Sequence, residues 1–172
     1  MQDLKITLVQ ADQKWEDRQA NFANYERLLE DLQETDLIVL PEMFHTGFTM
    51  NAEEMAEEMD NSKGLEWLKR MAQNKSTALY TSIIIKEENK FRNRGVFVFP
   101  EGTIEYYDKQ KTFGLAGEDK IFKAGELEKI VLYKGWKIML QICYDLRFPV
   151  WARQQIENGQ PEYDVLIYVA NW

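Results

Sequence analysis

Leu37-Ile38-Val39-Leu40-Pro41-Glu42 is the stretch on which the fold turns. Four apolar residues in succession, closed by a proline, read as a short strand buried on both faces. Upstream, Phe22, Tyr25, Leu28, Leu29 and Leu32 recur at helical spacing and share one face. Before them, Leu4, Ile6, Leu8 and Gln10 alternate with Lys5, Thr7 and Val9, the period of an opening strand. Strand, helix, buried strand is the order of an α/β layered domain.

The same reading extends downstream. Residues 51–62 are acidic and Met-rich and predict a loop with at most one helical turn. Leu65, Leu68, Met71 and Ala72 predict a helix over 64–75, and an Ile-rich run predicts a strand over 79–86. Residues 95–99 and 103–107 flank Pro100-Glu101-Gly102 as a hairpin would. A loop with Gly114, Gly117 and Gly125 follows, then a strand over 137–142 that ends at Cys143. Residues 149–157 begin with proline and predict a helix, and 164–170 predict a last strand. No repeat or linker interrupts the chain, so residues 1–172 form one domain. That last apolar run lies three residues from Trp172, with no turn or capping helix after it. The domain is therefore expected to be incomplete at its C-terminus.

Composition narrows the chemistry. Acidic residues outnumber basic ones, 29 to 21, for a net charge of −8. A surface of that sign repels phosphate backbones, so no nucleic-acid partner is expected. No apolar run reaches the roughly 20 residues of a membrane span, and the N-terminus lacks a secretory pattern. A cytoplasmic protein is the expectation. One cysteine, Cys143, and one histidine, His45, leave too few soft ligands for a thiolate or imidazole metal site. Catalysis here would have to use carboxylates, lysines and one thiol.

Three such groups stand directly after apolar strand patterns: Glu42 after LIVLP, Lys109 after IEYYD and Cys143 after IMLQI. Strand ends form the rim where ligands bind in α/β sheets. A thiol nucleophile, a carboxylate base and an ammonium for the oxyanion make an acyl-transfer set. A nearby lysine is expected to pull the thiol below its free pKa of about 8.5. Singly, each residue also fits an ordinary role: a buried small side chain for Cys143, solvated charges for Glu42 and Lys109, packing for His45. Asp145 and Arg147 could simply pair with each other.

The words around these residues carry more. PEMFHTGF (41–48), YYDKQKTFG (106–114) and CYDLRFPVW (143–151), with the final ANW, together resemble the nitrilase, or carbon–nitrogen hydrolase, superfamily, and most of all its bacterial ω-amidase branch. The resemblance runs from Lys5 to Trp172. It implies an α-β-β-α sandwich of which only the N-terminal part is present. It also implies an amidase that cleaves a small carboxamide through a cysteine thioester, without metal or organic cofactor. Glu42 would be the general base, Lys109 the oxyanion lysine and Cys143 the nucleophile, all three converging on one pocket. Glu118 would position the lysine, and the Tyr144 N–H would complete the oxyanion site. Arg147 matches an arginine that binds a substrate carboxylate in some relatives; Phe48, Phe113 and Trp172 are further substrate-binding candidates. Lys111 stands where many relatives have histidine. A nitrilase, an N-carbamoyl amidase and a silent fragment with a binding or assembly role are the alternatives. A small amide is the expected ligand, and a homodimer or higher homo-oligomer the expected assembly. Alone, without the elements that relatives place after the N-W motif, the chain is expected to self-associate or to pair with a second polypeptide, and to be inactive or weakly active.

Overall fold

The computed structural model describes residues 2–172. β1 (Ile6–Leu8) leads through α1 (Arg18–Leu29) to β2 (Leu37–Val39), which pairs with β1 in parallel. α1 starts where the Asp17 carboxylate accepts the Ala20 N–H at 3.0 Å. The acidic loop holds one helical turn, α2 (Ala52–Met55). α3 (Lys63–Lys75) is capped by Ser62, whose hydroxyl accepts the Leu65 N–H, and it closes on Ser76 in the left-handed region. β3 (Ala78–Glu87), β4 (Lys90–Val98) and β5 (Ile104–Asp108) complete a five-stranded sheet in the order β1-β2-β3-β4-β5. After the short helix α4 (Glu118–Ile121), strands β6 (Ile130–Tyr133) and β7 (Trp136–Ile142) form a second sheet with the last strand. The small hairpin β8 (Ile156–Glu157) and β9 (Gln160–Pro161) precedes that strand, β10 (Val165–Val169), and the second sheet runs β10-β7-β6.

The continuous apolar run of β2 now has its reason. Ile38 and Leu40 face α1 and α3, in a cluster with Tyr25, Phe44, Trp67 and Leu68. Leu37 and Val39 point the other way, into a second cluster with Tyr80, Phe97, Ile138, Leu140, Ile167 and Val169. Both faces of the strand are covered, so period-two alternation disappears. The layers are thus helices, first sheet, second sheet, the mixed α/β order the sequence predicts. Beyond the second sheet, Met139, Ala152 and Tyr163 form a small cluster with Ile130, Leu166 and Tyr168.

Several local expectations are corrected. Residues 149–157 do not form a helix: a 3₁₀ turn (Pro149–Ala152) gives way to the β8–β9 hairpin. Asn158 and Gly159 both have positive φ (50° and 76°), and this two-residue turn folds the chain back. The Gln154 side chain then bonds Glu162 and Tyr163, holding the segment non-helical. On α1 the buried stripe is Asn21, Tyr25 and Leu29, with Leu28 exposed. Asn21 belongs inside because its side chain bonds the carbonyls of Lys14 and His45. Leu8 is 74% exposed, at the edge of the first sheet, where its face is left uncovered. β4 begins well before residue 95, because Glu88 and Asn89 adopt positive φ and close a tight β3–β4 hairpin. β6 was not expected at all.

One glycine fixes the approach of a loop to the end of β5. The Gly125 N–H donates to the Lys109 carbonyl at 2.9 Å, and a Cβ at Gly125 would stand 2.1 Å from the Asp108 carbonyl oxygen. Backbone cannot yield as a side-chain tip can. Gly125→Ala should therefore push the 108–109 segment aside and cost about 1–3 kcal/mol, as overpacking does. Urea unfolding would show a lowered midpoint; an unchanged midpoint would contradict this packing.

Candidate active site

The two sheets bring three strand ends together. Glu42 follows β2, separated from it by Leu40 and Pro41, and its N–H donates to the Ala170 carbonyl at 3.3 Å. Lys109 follows β5, its N–H tied to the Asn93 carbonyl at 3.0 Å. Cys143 follows β7 and opens a 3₁₀ turn (Cys143–Arg147) with φ +45°. A non-glycine residue in the left-handed region is held there by its surroundings. Here the turn is pinned by Asp145. Its Oδ2 accepts the Tyr107 hydroxyl at 2.9 Å and the Ile142 N–H at 3.0 Å, while Oδ1 accepts the Lys111 N–H at 2.8 Å. Asp145 thus ties the Cys143 turn to the lysine loop. Its carboxylate is occupied by these donors rather than by Arg147, which is exposed and lies 5.9 Å from the Trp172 ring centroid.

Beneath the thiol lies a buried charge cluster. Lys109 Nζ donates to Glu42 Oε1 at 2.9 Å and to Glu118 Oε1 and Oε2 at 3.0 and 2.9 Å. All three side chains are essentially inaccessible. Glu118 begins α4 and is further held by the Phe113 N–H at 2.5 Å. Asn93 Nδ2 bonds both carboxylates, Glu42 at 2.8 Å and Glu118 at 3.1 Å. Burial works against the Lys109 ammonium, yet the charges of Glu42 and Glu118 outweigh it and raise its pKa. Burial also raises the pKa of Glu42, because Lys109 is shared and Glu118 repels.

These groups reverse the expected titration of the thiol. Cys143 is half-buried and its pKa is pushed up to about 11, first by burial and then by the negative charge of Glu42. Lys109 and a Trp172 Nε1 hydrogen bond at 2.9 Å pull the other way without prevailing. The lysine is neutralised by two carboxylates, so it cannot hold the resting thiol as a thiolate. The resting pair is a neutral thiol beside a basic carboxylate, and Glu42 Oε2 has no hydrogen-bond partner among the described residues. Such a pair can move the proton from sulfur to Glu42 as the sulfur attacks.

Above Cys143 opens a cavity of about 630 Å³. Phe48, Phe113, Leu115 and Trp172 supply its apolar wall, while Tyr144, Arg147 and Asn171 line it with Cys143. The Tyr144 ring lies between Phe113, tilted to it with centroids 4.9 Å apart, and Phe148, edge-on at 5.5 Å. The structure therefore brings together Glu42, Lys109 and Glu118 in the buried cluster, and places Phe48, Phe113, Tyr144, Arg147 and Trp172 around the cavity with Cys143. Lys111 is apart from them, its Nζ 4.0 Å from the Trp151 ring centroid. Asn93 and Asp145 are the residues that sequence reasoning passed over. His45 sits elsewhere, buried on Phe22 and Phe44 and 3.4 Å from Glu57.

A family model for carbon-nitrogen hydrolases matches residues 5–171. The chain belongs to the carbon-nitrogen hydrolase family. It is 43% identical over its full length to an ω-amidase, YafV, of Yersinia enterocolitica, and 29% identical over 97% of its length to a 2-oxoglutaramate amidase of Bacillus subtilis. It spans 64% of the length of each of these relatives. Its fold matches, at a TM-score of 0.95 and 38% identity, a CN-hydrolase superfamily protein of Xanthomonas campestris solved with an arsenic adduct in its active site. That match covers the whole of this chain and 66% of the other.

The shared proton predicts an unusual alkylation profile. Iodoacetamide should react with Cys143 on a plateau at neutral pH, where Glu42 takes the proton, and faster again as pH approaches about 11. Glu42→Gln should abolish the plateau. It should also move the upper rise to lower pH, since a negative charge beside the thiol is gone. Rates of alkylation against pH check this; an upper rise that stays put or moves up contradicts the assignment of Glu42.

Proposed function

We propose that this chain carries the catalytic residues of a thiol amidohydrolase that removes the terminal carboxamide of a small carboxylic acid. The observation that carries the reading is a single thiol at the floor of a largely apolar cavity, backed by a buried carboxylate with a free oxygen. Cys143 Sγ attacks the carboxamide carbon while Glu42 takes the thiol proton. Lys109 Nζ and the Tyr144 N–H hold the developing oxyanion. Collapse breaks the C–N bond, Glu42 returns the proton to the departing ammonia, and a thioester remains. Water then attacks the thioester with Glu42 again as base; the C–S bond breaks, the acid leaves and the thiol is reprotonated.

Arg147 supplies substrate selection in this reading. Its guanidinium stands at the cavity edge and is free of Asp145, so it can take a carboxylate at the far end of the substrate. The names of the relatives, an ω-amidase and a 2-oxoglutaramate amidase, favour an amide of a dicarboxylic acid. A single thiol that must stay reduced suits the cytoplasm. Exposed apolar side chains, among them Leu8, Val150, Trp151 and Trp172, favour a homo-oligomer or a complex with further polypeptide.

A panel of amides with and without a distal carboxylate tests the reading. Carboxylate-bearing amides should be hydrolysed with ammonia release, and Cys143→Ser should abolish turnover. Arg147→Ala should lower kcat/KM about 10- to 100-fold for the carboxylate substrates and barely affect neutral amides, the size of one lost charge-assisted contact. Equal losses on both substrate classes would remove Arg147 from substrate selection.

A further inference from the structure

Asn93 lies in β4 between two arginines, and it occupies the centre of the buried cluster. Arg92 and Arg94 point to the opposite face, where they pair with Glu87 and Asp108. The Asn93 side chain points inward, 2% exposed. One amide hydrogen reaches Glu42 Oε1 and the other Glu118 Oε1, two of the three oxygens that Lys109 Nζ engages. Ammonium, carboxylate, amide and carboxylate therefore close a four-membered polar ring. Its backbone carbonyl also receives the Lys109 N–H, so Asn93 holds the lysine by its main chain and both carboxylates by its side chain.

We propose that Asn93 is a positioning residue of the catalytic centre, holding Glu42 by one oxygen so that the other stays free for the thiol proton. The inference rests on the thiol-amidase reading of the site and adds a residue to it. The chemistry of the amide makes it suited to the task. Two carboxylates and one ammonium leave the ring with one negative charge. A second cation at position 93 would neutralise it and weaken Glu42 as a base, and a hydroxyl would offer one hydrogen where two are needed. The amide gives both hydrogens and adds no charge. Its Oδ1 is left buried without a partner among the described residues. Turning the amide over would aim that oxygen at two carboxylates, so the orientation is fixed by charge. Glu42 Oε1 is saturated by Lys109 and Asn93, which leaves Oε2 as its reactive oxygen.

Among the described residues, the ionisable groups that bear on Glu42 each have a place in this arrangement. Lys109 and Glu118 close the ring, and Cys143 is the proton donor. Tyr80 of β3 feels the charge of Glu42 but gives its own hydroxyl to the Gln141 carbonyl at 2.9 Å. Removing two N–H donors from the carboxylates favours their protonated forms. Glu42 would then lose its proton only at higher pH.

The test is the pH profile of the full chain and of two variants, Asn93→Ala and Asn93→Asp, by amide turnover and by iodoacetamide alkylation of Cys143. Thermal unfolding shows that each variant is folded; the aspartate variant preserves the side-chain shape if the alanine variant does not fold. The acid limb of both profiles should move up by about one pH unit in Asn93→Ala, the worth of a hydrogen bond to a charged group. It should move further in Asn93→Asp, which adds a third carboxylate. kcat should fall about 10- to 100-fold while KM changes less than about threefold, because proton transfer and not binding is impaired. A limb that stays in place in folded variants overturns the proposal, even if kcat falls. A parent chain that hydrolyses no amide bears only on the activity of the chain alone, and the alkylation limb still decides the role of Asn93.

Discussion

The lysine shared between two buried carboxylates is the constraint around which this structure is arranged. Removing charges from water costs several kcal/mol per ion, and only close, well-saturated pairing offsets it. Lys109 meets that condition with Glu42 and Glu118, three N–H···O contacts of 2.9–3.0 Å among them. Each partner comes from a different part of the chain: the exit of β2, the exit of β5 and the start of α4. The fold must therefore hold these three segments in register before the cluster can exist. The tight backbone approach at Gly125, the Asp145 clamp and the Asn93 amide all serve that register.

The same constraint sets the chemistry. A lysine free to face a thiol would hold it as a thiolate, a permanent nucleophile. With the lysine already matched by two carboxylates, burial and then the negative charge of Glu42 keep the thiol protonated. Under the proposed amidase chemistry, reactivity would then be confined to the moment when a substrate carbonyl is present to receive the sulfur and Glu42 takes the proton. The lysine, paired with two acids, stays charged, as the proposed oxyanion role requires. Burial of Glu42, Lys109 and Cys143 together raises the strength of every one of these interactions over its value in water.

How far this was legible in the sequence follows from where each residue draws its role. Glu42, Lys109 and Cys143 each end an apolar strand pattern, a local signal, and the motifs around them carried the rest, Glu118 included. Asn93 was illegible for two reasons. Its strand begins at a Glu88-Asn89 turn that lacks the usual glycine, and its charged neighbours resemble a surface loop. Asp145 looked like a partner for Arg147 two residues away, whereas its real donors come from Tyr107 and Lys111 across the sheet. The direction of the thiol shift was misjudged because proximity to a lysine says nothing about the carboxylates that already claim it. The helix expected over 149–157 failed on a purely local rule, an Asn-Gly turn placed just after it.

Cys143 is the single cysteine of the chain, so labelling with [3-13C]cysteine gives one resonance to follow against pH. That titration measures the protonation of the resting thiol directly, without a reagent or a substrate. A lysine committed to two carboxylates predicts a neutral-thiol signal that persists through the physiological range and inflects only near about 11. An inflection at or below the free value of about 8.5 would contradict the account, because Lys109 would then be stabilising the thiolate after all.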